Sequence, residues 1–170
     1  SEDFIREFQD KVNWGYISMY QKLSEDFIRE FQDKVDWSDI SRRQKLSEGF
    51  IREFKDTVYW SIISIYQKLS EDFIREFQDK MFWDNISTYQ ELSEDFIREF
   101  KDKVDWFYIS KHQKLSEDFI SEFKNSLIEE FMEGNWSYKD KDFLKKQVEL
   151  TGLYECHDDY FIAYKGIRSE

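Results

Sequence analysis

Apolar positions recur along the chain in two alternating arrangements. Leu23, Phe27, Ile28, Phe31 and Val35 stand three or four residues apart, the spacing of one helical face, with charged residues between them. Ser24 has the chemistry of an N-cap, and Glu25 and Asp26 put negative charge on the first turn, where the helix dipole favours it. Leu23 and Ile28 occupy N′ and N4, the hydrophobic-staple arrangement. This spacing predicts a helix A over about 24–34, with Glu25–Arg29, Arg29–Asp33 and Glu30–Lys34 as opposite charges four apart on its outer side. The pattern then restarts. Asp36 is placed to cap a helix B over about 37–45, with Asp39 at N3, a second staple between Val35 and Ile40, and Trp37, Ile40 and Leu46 on its apolar side.

The arrangement repeats without insertion or deletion. Trp stands at 14, 37, 60, 83 and 106, Gln at 21, 44, 67, 90 and 113, and Leu-Ser begins at 23, 46, 69, 92 and 115. Phe-Ile-x-x-Phe starts at 4, 27, 50, 73, 96 and 119, so the period is 23 throughout. A single continuous helix is the alternative, permitted by the absence of Pro. However, 23 residues make ~6.4 turns, so the apolar stripe would wander around such a rod. Two staples per period also imply two helix starts. Short helix pairs that bury their remaining faces on neighbouring copies are the better reading, and they predict an all-α fold: a right-handed or shallow α-solenoid. Its units are about 1–23, 24–46, 47–69, 70–92 and 93–115, with a partial unit at 116–123. Trp14, Trp37, Trp60, Trp83, Trp106, Phe27, Ile28, Phe31 and Leu46 are expected to form the core. The invariant Gln and Ser positions are expected to tie stacked copies together and fix their register.

The period fails after residue 123. Ser126 to Met132 extend helix A toward Gly134, a further helix is expected over about 138–149, and 153–164 reads as a β-hairpin around His157-Asp158-Asp159. Residues 124–170 are therefore expected to form a divergent C-terminal cap.

Composition narrows the functional classes. At 170 residues the chain suits one domain, and 19% aromatic content with strict periodicity argues against disorder. The net charge of -12 opposes nucleic acid and anionic membrane surfaces and favours a basic or apolar protein partner. No apolar run is long enough for a transmembrane helix, and no signal peptide is visible. The single Cys156 points to an intracellular, reducing compartment. The chain opens inside a unit without Met, which suggests a fragment of a longer protein. Catalytic chemistry is poorly supported: the carboxylates lie among matching Lys and Arg, no Gly-rich phosphate loop or Gly-x-Ser-x-Gly occurs, and Cys156-His157 lacks the four placed ligands of a closed zinc site. Neither an enzyme nor a cofactor is expected.

Comparison of the copies separates fixed positions from free ones. The two residues after Trp are Gly15-Tyr16, Ser38-Asp39, Ser61-Ile62, Asp84-Asn85 and Phe107-Tyr108. The two after Ile-Ser are Met19-Tyr20, Arg42-Arg43, Ile65-Tyr66, Thr88-Tyr89 and Lys111-His112. These pairs are four apart and share one side of helix B, while exposed helix A residues such as Glu30 hardly change. Tyr16, Tyr20, Asp39, Arg42, Arg43, Ile62, Tyr66, Asn85, Tyr89, Tyr108, Lys111 and His112 thus form a candidate partner-binding row. Free variation on a solvated face is the competing account.

The unit Phe-Ile-x-x-Phe-x-x-x-Val-x-Trp-x-x-Ile-Ser-x-x-Gln-x-Leu-Ser resembles tandem arrays found in proteins of large amoeba-infecting DNA viruses. The resemblance covers residues 1–123. The tail Tyr160 to Ser169 is similar to the opening strand of a C-terminal domain that follows some of these arrays. The resemblance implies a viral origin and the interior of an infected cell, with the host cytoplasm as the expected compartment, and supplies no reaction. The expected function is a non-enzymatic protein-interaction scaffold. A structural array that self-associates through its uncapped N-terminal end, and a targeting array for a C-terminal effector domain, are the alternatives.

Overall fold

A computed structural model describes residues 1–123, and these are all-α. The chain divides into two compact units, Ser1–Leu92 and Ser93–Glu170, with the division between the fourth and fifth repeats. The first unit contains α1 (Glu2–Glu7), α2 (Trp14–Tyr20), α3 (Glu25–Glu30), α4 (Trp37–Arg43), α5 (Glu48–Glu53), α6 (Trp60–Tyr66), α7 (Glu71–Glu76) and α8 (Trp83–Tyr89). The second contains α9 (Glu94–Glu99), α10 (Trp106–His112) and α11 (Glu117–Glu122). The expected helices and hairpin of 124–170, and Cys156, lie outside the described residues.

The odd-numbered helices are the expected helices A. The Ser24 hydroxyl accepts the Phe27 N–H at 3.2 Å, and the staple residues Leu23 and Ile28 are both buried. Helix A is nevertheless shorter than its apolar spacing predicts, ending at Glu30 rather than about residue 34. Phe31 leaves the helical region at φ -116, ψ 30, and its carbonyl accepts the N–H groups of Lys34 and Val35, forming a separate turn. The break keeps Phe31 and Val35 in one apolar layer. It also cancels two expected ion pairs, because Asp33 and Lys34 no longer lie on the helix. Glu30 instead receives the Arg6 guanidinium of the preceding copy at 2.8 Å, and Lys34 reaches back to Asp10 at 3.5 Å. Only the Glu25–Arg29 pair forms as expected, at 3.7 Å.

The even-numbered helices are helices B, ending two residues earlier than about residue 45. In α4 the Asp36 carboxylate accepts the N–H groups of Ser38 and Asp39. Tyr59 and Phe82 replace this cap in α6 and α8 and make no side-chain capping hydrogen bond, yet both helices start at the same place in the repeat. The reason lies one copy earlier. The hydroxyls of Ser18, Ser41 and Ser64 accept the backbone N–H of Asp36, Tyr59 and Phe82 respectively, at 2.9, 3.1 and 3.3 Å. Register is therefore held by the neighbour, with the local cap as reinforcement.

Within Ser1–Leu92, successive helices B pack on one another, α2 on α4, α4 on α6 and α6 on α8, giving the regular stack of an α-solenoid. The tryptophans join copies from the edge of the core. Trp14, Trp37 and Trp60 are half-buried rather than buried, with rings 4.9, 4.9 and 5.0 Å from Phe31, Phe54 and Phe77 of the next copy. Each indole keeps its N–H on a carbonyl five residues earlier, as in Trp60 to Lys55 at 2.8 Å. The fully enclosed apolar side chains of this unit are Phe27, Phe50 and Phe73 with Ile28, Ile51 and Ile74 from helices A, and Ile40, Ile63 and Ile86 from helices B. Phe4, the equivalent residue of the first copy, is 56% exposed.

The glutamines form the expected ladder. Gln67 Oε1 accepts the Leu46 N–H at 3.0 Å, and Nε2 donates to the carbonyls of Ser41 at 2.9 Å and Gln44 at 2.8 Å. Those carbonyls end α4 and lack intrahelical partners, so each glutamine caps the C-terminus of the helix B before it. Gln44 and Gln90 repeat the arrangement on the copies before them.

The second unit follows the same rules by itself. Asp105 caps α10, the Trp106 ring lies 4.9 Å from Phe123, and Arg98 donates to Glu122 at 2.9 Å.

Candidate interaction surface

The fixed exposed residues of helix A are occupied. Arg6, Arg29 and Arg52 each donate at 2.8 Å to Glu30, Glu53 and Glu76 of the next copy, while each guanidinium lies over the next Phe ring at about 5 Å. The hydrogen bond that Arg29 donates to Glu53 holds its guanidinium further above its ordinary range, with partial burial opposing the shift. Glu2, Glu25 and Glu48 accept the N–H of Ser24, Ser47 and Ser70 at 2.6, 2.6 and 2.7 Å. The sameness of these carboxylates thus has a structural cause: each joins two copies.

Helix B presents the opposite case. Its cap residue and the third and seventh residues beyond lie on one face, since steps of three and four return to the same side. The face reads Asn13, Tyr16, Tyr20 in the first copy and Asp36, Asp39, Arg43 in the second. In the third and fourth it reads Tyr59, Ile62, Tyr66 and Phe82, Asn85, Tyr89. Tyr16, Tyr20, Tyr59, Tyr66, Phe82 and Tyr89 are between 51% and 67% exposed, unusual for six large aromatic side chains in one row. Tyr16 and Tyr20 stack at 5.9 Å, and Arg42 lies over the Tyr66 ring at 5.3 Å. Not every free position is equally open. Asp39 and Ile62 are half-buried, and so is Asn85, whose side-chain N–H donates to the Ser61 carbonyl of the copy before it at 3.2 Å.

In the second unit the face reads Asp105, Tyr108, His112. The Tyr108 and His112 rings stack at 6.1 Å, and Lys111 lies 5.5 Å over Phe107. Partial burial, aided by the Lys111 charge, pushes the His112 imidazole below its ordinary pKa.

Tyr59 and Phe82 belong to this face and were not among the residues expected there. Their signal was the missing cap. An aromatic at a solvent-facing N-cap forfeits a hydrogen bond, and Tyr59 and Phe82 leave about half of their surface in solvent.

The face suits recognition through aromatic and cationic side chains. Among the described residues no group of three or more His, Cys, Asp or Glu is placed to hold a metal ion, and no helix is long and apolar enough to cross a membrane. Comparison with protein-family models, curated proteins and solved structures gives no match.

Proposed function

We propose that the chain is a non-enzymatic scaffold that binds a protein partner along the free face of its helices B. The observation that carries this reading is the contrast between the two exposed surfaces. Helix A residues hardly change from copy to copy, Gly49 and Ser121 being the exceptions, and their arginines and glutamates are engaged in ties between copies. Helix B residues differ and leave large aromatic side chains in solvent, where rigid amphipathic rings supply contact area at low entropic cost. The net charge of -12 supports a protein partner over nucleic acid.

The test replaces Tyr20, Arg43, Tyr66 and Tyr89 together by Ala and compares protein capture with the unaltered chain. A control replaces Lys11, Gln32 and Lys55, exposed residues of the turns that follow helices A. The resemblance of the repeat to viral arrays makes an amoeba lysate the first source. A captured protein is expected to be lost with the row variant and retained with the control, both keeping the far-ultraviolet dichroism of the parent. Retention of every captured protein by the row variant would overturn the reading.

A further inference from the structure

Among the described residues the arginines fall into two groups. Arg6, Arg29, Arg52, Arg75 and Arg98, all on helices A, each have at least two carboxylates within 4 Å. Arg42 and Arg43, at the end of α4, have none, although Asp39 lies one turn before Arg43 and the chain as a whole is strongly acidic. Helix position alone does not require both cations: the equivalent pairs Met19-Tyr20 and Ile65-Tyr66 end α2 and α6 without charge.

The two arginines border a cavity of about 330 Å³ between the ends of α4 and α6, shared with Lys45, Tyr66, Lys68 and Leu46. No carboxylate lines it. Lys68 has a distant pairing with Glu91 at 3.9 Å, with both side chains about nine-tenths exposed, so it is readily redirected. Gln44 and Gln67 complete the wall, and their amides are fully engaged in the ladder. The groups left to read a ligand are the guanidinium and ammonium donors and the Tyr66 ring.

Resting on the scaffold reading above, we propose that this cavity is an acidic-peptide subsite: a carboxylate-bearing segment of a protein partner binds between α4 and α6, paired with Arg42 and Arg43. Guanidinium groups match carboxylates as planar two-point donors, and the stacking of Arg42 on Tyr66 holds one of them in place. The surrounding negative charge favours a short segment over a long polyanion, since charges beyond about 8 Å are screened at physiological salt.

The test titrates the full chain with acetyl-tetraglutamate amide, following the arginine side-chain Nε–H resonances, with the tetraglutamine peptide as neutral reference. The Arg42 and Arg43 signals are expected to move with tetraglutamate and not with tetraglutamine. The helix A arginines, already donating to glutamates, are expected to stay in place. Replacing both residues (Arg42→Ala, Arg43→Ala) is expected to weaken binding about tenfold or more, and raising salt from about 50 to about 500 mM to weaken it further. Both side chains are exposed, so the fold is retained. Equal shifts at the helix A arginines, unchanged affinity of the double variant, or no shift at any arginine would each overturn the subsite. None of these outcomes touches the scaffold reading, which stands or falls on partner capture by the Tyr20, Arg43, Tyr66 and Tyr89 variant.

Discussion

Replacing Gln67 by Leu preserves most of the side chain's shape and removes its hydrogen-bonding end. In the parent, Gln67 is only 5% exposed and satisfies one N–H and two carbonyls of the copy before it. Without its Oε1 the Leu46 N–H has no acceptor, a loss of about 1–3 kcal/mol for a buried donor. The Ser41 and Gln44 carbonyls raise the total to roughly 2–5 kcal/mol, and the added apolar surface offsets about 1 kcal/mol of it. Gln21 provides the control. It has the same place in the first copy, but its side chain is exposed and makes no hydrogen bond among the described residues, so Gln21→Leu is expected to change stability by less than ~0.5 kcal/mol. With a urea dependence of about 1–3 kcal/mol per molar, Gln67→Leu moves the unfolding midpoint down by roughly 1–2 M. Repeats can open separately, so hydrogen exchange at the Leu46 amide gives the local measurement. Protection at Leu46 is expected to collapse in Gln67→Leu and persist in Gln21→Leu. Equal midpoints for the two variants, with Leu46 still protected in both, would refute the ladder as a source of stability.

Tyr59→Asp restores the cap that α6 lacks at a residue whose φ -89 and ψ 98 match those of Asp36, and is expected to stabilise by about 0.5–2 kcal/mol, read as a higher thermal midpoint; a lower midpoint would contradict the capping account. Because Tyr59 also lies on the binding face, partner capture should weaken as stability rises. His112 carries a folded-state pKa below its unfolded value, so the unfolded chain binds more protons between the two. Its contribution is therefore lost as pH falls through about 6.5, and His112→Gln should flatten the dependence of the urea midpoint on pH from about 5.5 to 7; an unchanged slope would exclude it.

Much of this fold was legible because its determinants are local and repeated. Ser24 as cap, Leu23 with Ile28 as staple and the period of the Trp positions are short-range chemistry, and the structure keeps all three. The glutamine ladder was legible for a different reason: a polar residue held at one place in every copy needs a partner at the same period. The end of helix A was not legible, because Val35 is four residues from Phe31 whether the helix continues or a new turn begins. Only the Trp14 ring of the preceding copy, which Phe31 must meet, decides between them. The ion pairs followed the same logic, since an i,i+4 match within one copy says nothing of a better-placed glutamate in the next. Of the candidate face, the tyrosines and arginines were visible as variation between copies. Tyr59 and Phe82 were hidden behind their role as failed caps.

The ties between copies also bear on how the chain reaches this structure. The Ser, Gln and Arg hydrogen bonds that join copies in Ser1–Leu92 span between 18 and 26 residues. Within Ser1–Leu92 none of these ties closes a loop much longer than one repeat, so the entropic cost of each junction is the same for the third as for the first. The sequence separation of contacts stays constant as copies are added, and folding can begin at any junction and spread to its neighbours. Lengthening such an array extends the surface it presents without slowing the search that builds it.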